Sequence, residues 1–137
     1  MGIKIKRSTL YSLLLVAALS ACQASTPGPE ATAKSFFEAV SSGNPQAVKM
    51  FIAESSPGLA MLGSQAYIGP AKGGKALVDK HGPLISVVPK LQSEHADNAI
   101  VEVTVTYKDG FSDKAPFPFQ RVNGQWYYAP PQNNMGL

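Results

Sequence analysis

The sequence predicts an α+β domain, with helices first and an antiparallel sheet of about four strands after them. Three observations carry this. Apolar residues recur at helical spacing through residues 33–52. After Pro83 the apolar period changes to two. Two hairpin signals, Lys108-Asp109-Gly110 and Asn123-Gly124, then divide the alternating half. Helices segregated from strands in this way define the α+β class. At 137 residues, 45% hydrophobic and 15% charged, the chain suits one small globular domain.

Taken in order, Pro29 suits the first turn of a helix whose apolar face is Ala33, Phe36, Phe37 and Val40. Gly43 ends it. Asn44-Pro45 restarts the chain as cap and first-turn residue, and Val48, Phe51 and Ile52 supply the second apolar face. Residues 55–70 mix turn residues with apolar ones and show no clean period. A short third helix is expected over 74–80, ended by Gly82 and Pro83. The first strand is expected over 84–91 and the second over 99–107. In the second, Val101, Val103, Val105 and Tyr107 share one face, with Glu102, Thr104 and Thr106 on the other.

The register follows from burial. A two-residue loop at Asp109-Gly110 would turn Phe117 and Phe119 to solvent. A three-residue loop, Lys108-Asp109-Gly110, pairs Tyr107 with Phe111, Val103 with Ala115 and Val101 with Phe117. Gly110 then takes the left-handed position of that loop. Burying two phenylalanines favours this second register by several kcal/mol. A two-residue turn at Asn123-Gly124 places Arg121 opposite Trp126 and Phe119 opposite Tyr128. The expected core face is therefore Val101, Val103, Val105, Tyr107, Phe117, Phe119, Trp126 and Tyr128. Pro116 and Pro118 lack amide donors, so a break or bulge is expected at 115–118. Residues 130–137, rich in proline and asparagine, read as a frayed tail.

The N-terminus reads as an address. Lys4, Lys6 and Arg7 precede an apolar run at 10–19, which is too short for a membrane span of about 20 residues. "LSAC" follows, ending on Cys22, the only cysteine in the chain. A single cysteine excludes an internal disulfide and a cysteine-based zinc site. The stretch resembles the bacterial lipoprotein signal, whose lipobox is leucine, two small residues and cysteine. The resemblance implies a diacylglyceryl thioether on Cys22, cleavage after Ala21 and acylation of the new amine. Each buried CH₂ contributes roughly 0.8 kcal/mol, so two or three chains hold a protein on a bilayer essentially permanently. Gln23, where an inner-membrane retention signal has aspartate, implies the outer membrane facing the periplasm. Removing residues 1–21 takes three of the 12 basic residues, leaving nine against nine acidic ones. The basic balance of the whole chain therefore argues nothing for nucleic acid, which needs a clustered positive surface, and no nucleic-acid partner is expected.

The stretches "ATAKSFFEAVSSGNPQAVKMF", "NAIVEVTVTYKDG" and "FQRVNGQWYY" resemble the small lipoprotein domains of the DUF4878 type, within the NTF2-like (cystatin-like) superfamily. The resemblance covers nearly all of the mature chain and rests on structural, not catalytic, motifs. It implies helices packed across a curved sheet, forming a cone with an apolar cavity.

Candidates for chemistry are few. "GPAKGGKA" (69–76) nearly spells a phosphate-binding loop, but Ala76 replaces the hydroxyl residue that holds magnesium and no parallel βαβ unit follows. It reads as a flexible loop entering a helix. Asp113 falls opposite Val105 on the apolar face. Some NTF2-like enzymes use a cavity carboxylate as general base, and burial would raise its pKa for that work. That role requires Asp113 to line an enclosed pocket. His81 and His95 read as exposed turn residues rather than metal ligands. Arg121 facing Trp126 reads as a hairpin-stabilising pair, with a ligand-binding stack as the alternative.

The organisation expected is a lipoprotein signal (1–21), a lipidated cysteine and tether (22–28), an NTF2-like domain (29–129) and a tail (130–137). The function expected is a non-catalytic, membrane-anchored binding module without cofactor or metal. Its partner would be a protein or a small apolar ligand, with Tyr107, Asp113, Arg121 and Trp126 as candidate pocket residues. Within this reading it is either an inhibitor or immunity-type lipoprotein or an accessory subunit of an envelope assembly. The alternative is an NTF2-like enzyme with a cavity general base.

Overall fold

The computed structural model describes residues 26–131. The expected signal segment, Cys22, the first part of the expected tether and residues 132–137 of the expected tail lie outside the described residues. Among the described residues four helices precede four strands: α1 (Pro29–Ser41), α2 (Pro45–Lys49), α3 (Pro57–Leu62), α4 (Gln65–His81), β1 (Leu84–His95), β2 (Asn98–Tyr107), β3 (Ser112–Val122) and β4 (Gln125–Tyr128). The strands form one antiparallel meander in the order β1-β2-β3-β4. The chain is α+β, as its sequence predicts. No helix among the described residues is long and apolar enough to cross a membrane.

Proline and polar caps start the first three helices. Pro29, Pro45 and Pro57 each stand in a first turn, where an amide hydrogen is not needed. The Asn44 side chain accepts from Gln46 N–H at 3.0 Å, and that of Ser56 from Leu59 N–H at 3.4 Å. Gly43 and Gly63 follow α1 and α3 with φ of +71° and +58°. The residues that hide any period in 55–70 are thus the punctuation of α3. Helix α4 begins well before the expected residue 74 and carries Pro70 and three glycines inside it. "GPAKGGKA" is therefore helix rather than loop. Gly74 lets α4 approach α1 closely, since a Cβ there would collide with the Val40 carbonyl.

The turns follow the expected chemistry. Tyr107 N–H donates to Phe111 O at 2.9 Å, and Gly110 closes the three-residue loop at φ +91°. Val103 pairs with Ala115 and Val101 with Phe117. Asn123 and Gly124, at φ +51° and +78°, form the two-residue turn that pairs Arg121 with Trp126 and Phe119 with Tyr128.

The break expected at 115–118 does not occur, and pairing runs unbroken from Ser112 to Gln120. Parity explains this. Tyr107 and Phe111 are a hydrogen-bonded pair, so by twos Val103/Ala115 and Val101/Phe117 are also bonded pairs. Pro116 and Pro118 occupy the alternate positions, with their nitrogens turned away from β2. On that side β4 reaches back only to Phe119, so the strand ladder asks for neither donor. The bulges lie instead in β1, at Leu84/Ser86 and Leu91/Ser93, where they bend the strand.

The core lies between the helices and the inner sheet face. Val101, Val103, Val105, Tyr107, Phe119 and Trp126 are buried, while Phe117 and Tyr128 are half-buried against them. Phe36 of α1 fills the centre. Its ring stacks on Tyr128 at 4.4 Å and meets Phe119 and Phe51 edge-on at 6.2 Å. The Pro130 carbonyl lies against Gly58 and Pro130 itself is buried, so the packed chain runs past residue 129.

Candidate functional site

The four residues singled out by sequence do not meet in one pocket. Tyr107 is buried at the β2–β3 hairpin, where desolvation is the main cause holding its pKa above the usual tyrosine value. Asp113 pairs with Val105 as expected, but its carboxylate is exposed and accepts Lys114 N–H at 2.9 Å. It borders neither the two cavities beside the β3–β4 hairpin nor the two at the start of β1. The condition for a cavity general base is not met at this position.

Arg121 and Trp126 lie at the other end of β3. The Arg121 guanidinium carbon stands 5.2 Å from the Trp126 ring centre. Its Nε donates to Asp97 Oδ1 at 3.1 Å and its Nη2 to Ala96 O at 3.2 Å. The guanidinium therefore ties the β1–β2 turn to the β3–β4 hairpin. Its remaining donors and outer face are what a ligand would find.

Two open cavities lie side by side near this hairpin. The larger, about 610 Å³, is bordered by Lys49, Met50, Glu54, Asn123 and Tyr127. The second, about 430 Å³, is bordered by Thr26, Pro27, Met50, Phe51 and Trp126. Met50 is the ridge between them and is 77% exposed. Neither cavity reaches Val101, Val103 or Phe119, and the aromatic cluster around Phe36 occupies the heart of the cone. Of the four candidate pocket residues named from sequence, only Trp126 borders one of these cavities. Met50 had a signal of its own. At 100° per residue it stands about opposite the face made by Val48, Phe51 and Ile52.

His81, expected to be an exposed turn residue, closes α4 and is mostly covered, with 13% of its side chain exposed. Its Nδ1 lies 2.7 Å from Asp109 Oδ2, and its ring stacks on Phe111 at 4.0 Å. The Phe111 N–H donates to Asp109 Oδ1 at 2.8 Å. That backbone donor, and after it the imidazole, hold the Asp109 carboxyl below the usual carboxylate value. His95 is exposed. The contact that covers His81 spans 28 residues and has no local sequence signal.

By sequence, the chain matches no protein-family profile and no curated protein. By structure it is similar to a Campylobacter jejuni protein provisionally named an NTF2-like transpeptidase. The TM-score is 0.67 at 18% identity, over 77% of this chain and 100% of that one. The fold is NTF2-like.

Proposed function

We propose that this protein is a lipid-anchored envelope protein whose NTF2-like domain binds a partner rather than catalysing a reaction. The observation that carries the binding reading is the open 610 Å³ cavity bordered by Glu54, Asn123 and Tyr127, beside a cone whose centre is filled by aromatic side chains. An enzyme of the cavity-base kind needs an enclosed carboxylate, and Asp113 stands outside on the hairpin. The lipobox "LSAC" carries the anchor. Gln23 favours the outer membrane facing the periplasm.

Transpeptidation, the activity in the name of the Campylobacter jejuni protein, needs a nucleophile with a base beside it. Among the described residues no serine hydroxyl is bonded to a histidine, and His81 Nδ1 is taken by Asp109. The partner is a protein, an envelope assembly to which this chain is an accessory or a protein that it inhibits, or a small apolar ligand seated beside Tyr127. Crosslinking on intact membranes, followed by mass spectrometry, tests the binding reading. A reproducible complex that is lost on Tyr127→Ala is the expected result. Repeated recovery of the protein alone, with no bound ligand, contradicts it.

A further inference from the structure

The described chain begins at Thr26, four residues after Cys22. Four residues span at most about 14 Å. A bilayer holding a lipid on Cys22 therefore lies within that distance of Thr26, and one face of the domain must stand over it. Thr26 and Pro27 border the 430 Å³ cavity together with Met50, Phe51 and Trp126. Thr26, the described residue nearest Cys22, is thus on the same face as Met50.

Met50 is the most exposed of the large hydrophobic residues among those described: 77%, against 66% for Met61 and 63% for Ile85. Its unbranched, polarizable side chain accommodates an irregular apolar surface. The charges beside it, Lys49 and Glu54, are of opposite sign, so the face has no strong charge preference. Phe51 and Trp126 lie behind it and form the apolar floor of the cavity.

We infer that the face carrying the 430 Å³ cavity is the membrane-contacting surface of the anchored protein, with Met50 at its rim inserted at the headgroup boundary and the 610 Å³ cavity left to a partner. This rests on the proposed anchor at Cys22. The bilayer is favoured over a second copy of the chain because the tether keeps it permanently within reach of this face, whereas a second copy must be gathered from dilution. Contact here leaves the opposite end of the sheet free. Val88, 56% exposed on β1, is separated from β4 by β2 and β3, about 14 Å at ordinary strand spacing.

The test uses the lipidated full chain, in which the Cys22 thiol carries the lipid and an introduced cysteine is the only free thiol. Met50→Cys and Val88→Cys, both at exposed sites, are labelled with a polarity-sensitive fluorophore. They are reconstituted in phosphatidylethanolamine vesicles containing a minority of phosphatidylglycerol. The label at 50 should shift to the blue, lose emission several-fold to nitroxide-bearing lipids and resist a water-soluble quencher. The label at 88 should do the opposite. Equal behaviour at the two sites overturns the inference. A label at 50 shielded from water yet untouched by lipid nitroxides points to a second copy and overturns it as well. Flotation with the vesicles and the mass of the N-terminal peptide report the anchor separately. A floating protein with a wet label at 50 removes only the docking face. An unlipidated protein removes both.

Discussion

Gly73 and Gly74 are neighbours in α4 under different constraints. A Cβ at Gly73 meets nothing within 4 Å, whereas one at Gly74 would lie 2.6 Å from the Val40 carbonyl carbon. Gly73→Ala should therefore stabilise the domain by about 0.5–1 kcal/mol through helix propensity alone. Gly74→Ala should destabilise it by about 1–3 kcal/mol, because α1 and α4 must move apart. Urea denaturation of the two variants measures both signs. Asp109 gives a second prediction at this scale. Its folded pKa is depressed, first by the Phe111 amide and then by His81, below an ordinary value of 3.8. The unfolded chain therefore takes up the proton first. The contribution of Asp109 is intact above that ordinary value and is lost as pH falls from there through the folded pKa. Asp109→Asn should flatten this part of the acid limb of a stability–pH curve, and an unchanged limb would remove the role given to the pair.

At the scale of elements, Pro116 and Pro118 leave β3 without two amide donors on the side that β4 does not reach. An edge with fewer donors is a poor template for another strand. Replacing both with threonine should keep the fold, because neither nitrogen faces β2, while making the protein self-associate with concentration. Sedimentation shows whether it does. These elements also show what the sequence makes legible. Both hairpins and their registers follow from local rules: loop length, a glycine at positive φ, and which parity buries Phe117 and Phe119. Helices α3 and α4 were obscured because proline and glycine serve there as first-turn residues, caps and a packing contact, and Gly74 gains its reason only once Val40 is in place. The His81–Asp109 contact is likewise made by chain folding, across 28 residues, so residue types alone do not show it.

At the scale of the whole described domain, the cone is filled by aromatic side chains, with two open cavities beside the β3–β4 hairpin and two more at the start of β1. The chain enters at Thr26 beside Met50, while the hairpin carrying Asp113 projects elsewhere on the surface. This arrangement suits a module held close to a bilayer and presenting its remaining surface to a partner. A short tether of a few residues limits how far that surface can reach. The central claim is the anchor, because location decides which partners are available. The most direct measurement is the intact mass and N-terminal peptide of the protein extracted from membranes. The account predicts a chain beginning at Cys22 with a diacylglyceryl group on its sulfur and an acyl group on its amine. A chain that still begins at Met1, or one carrying Cys22 as a free thiol, would contradict it.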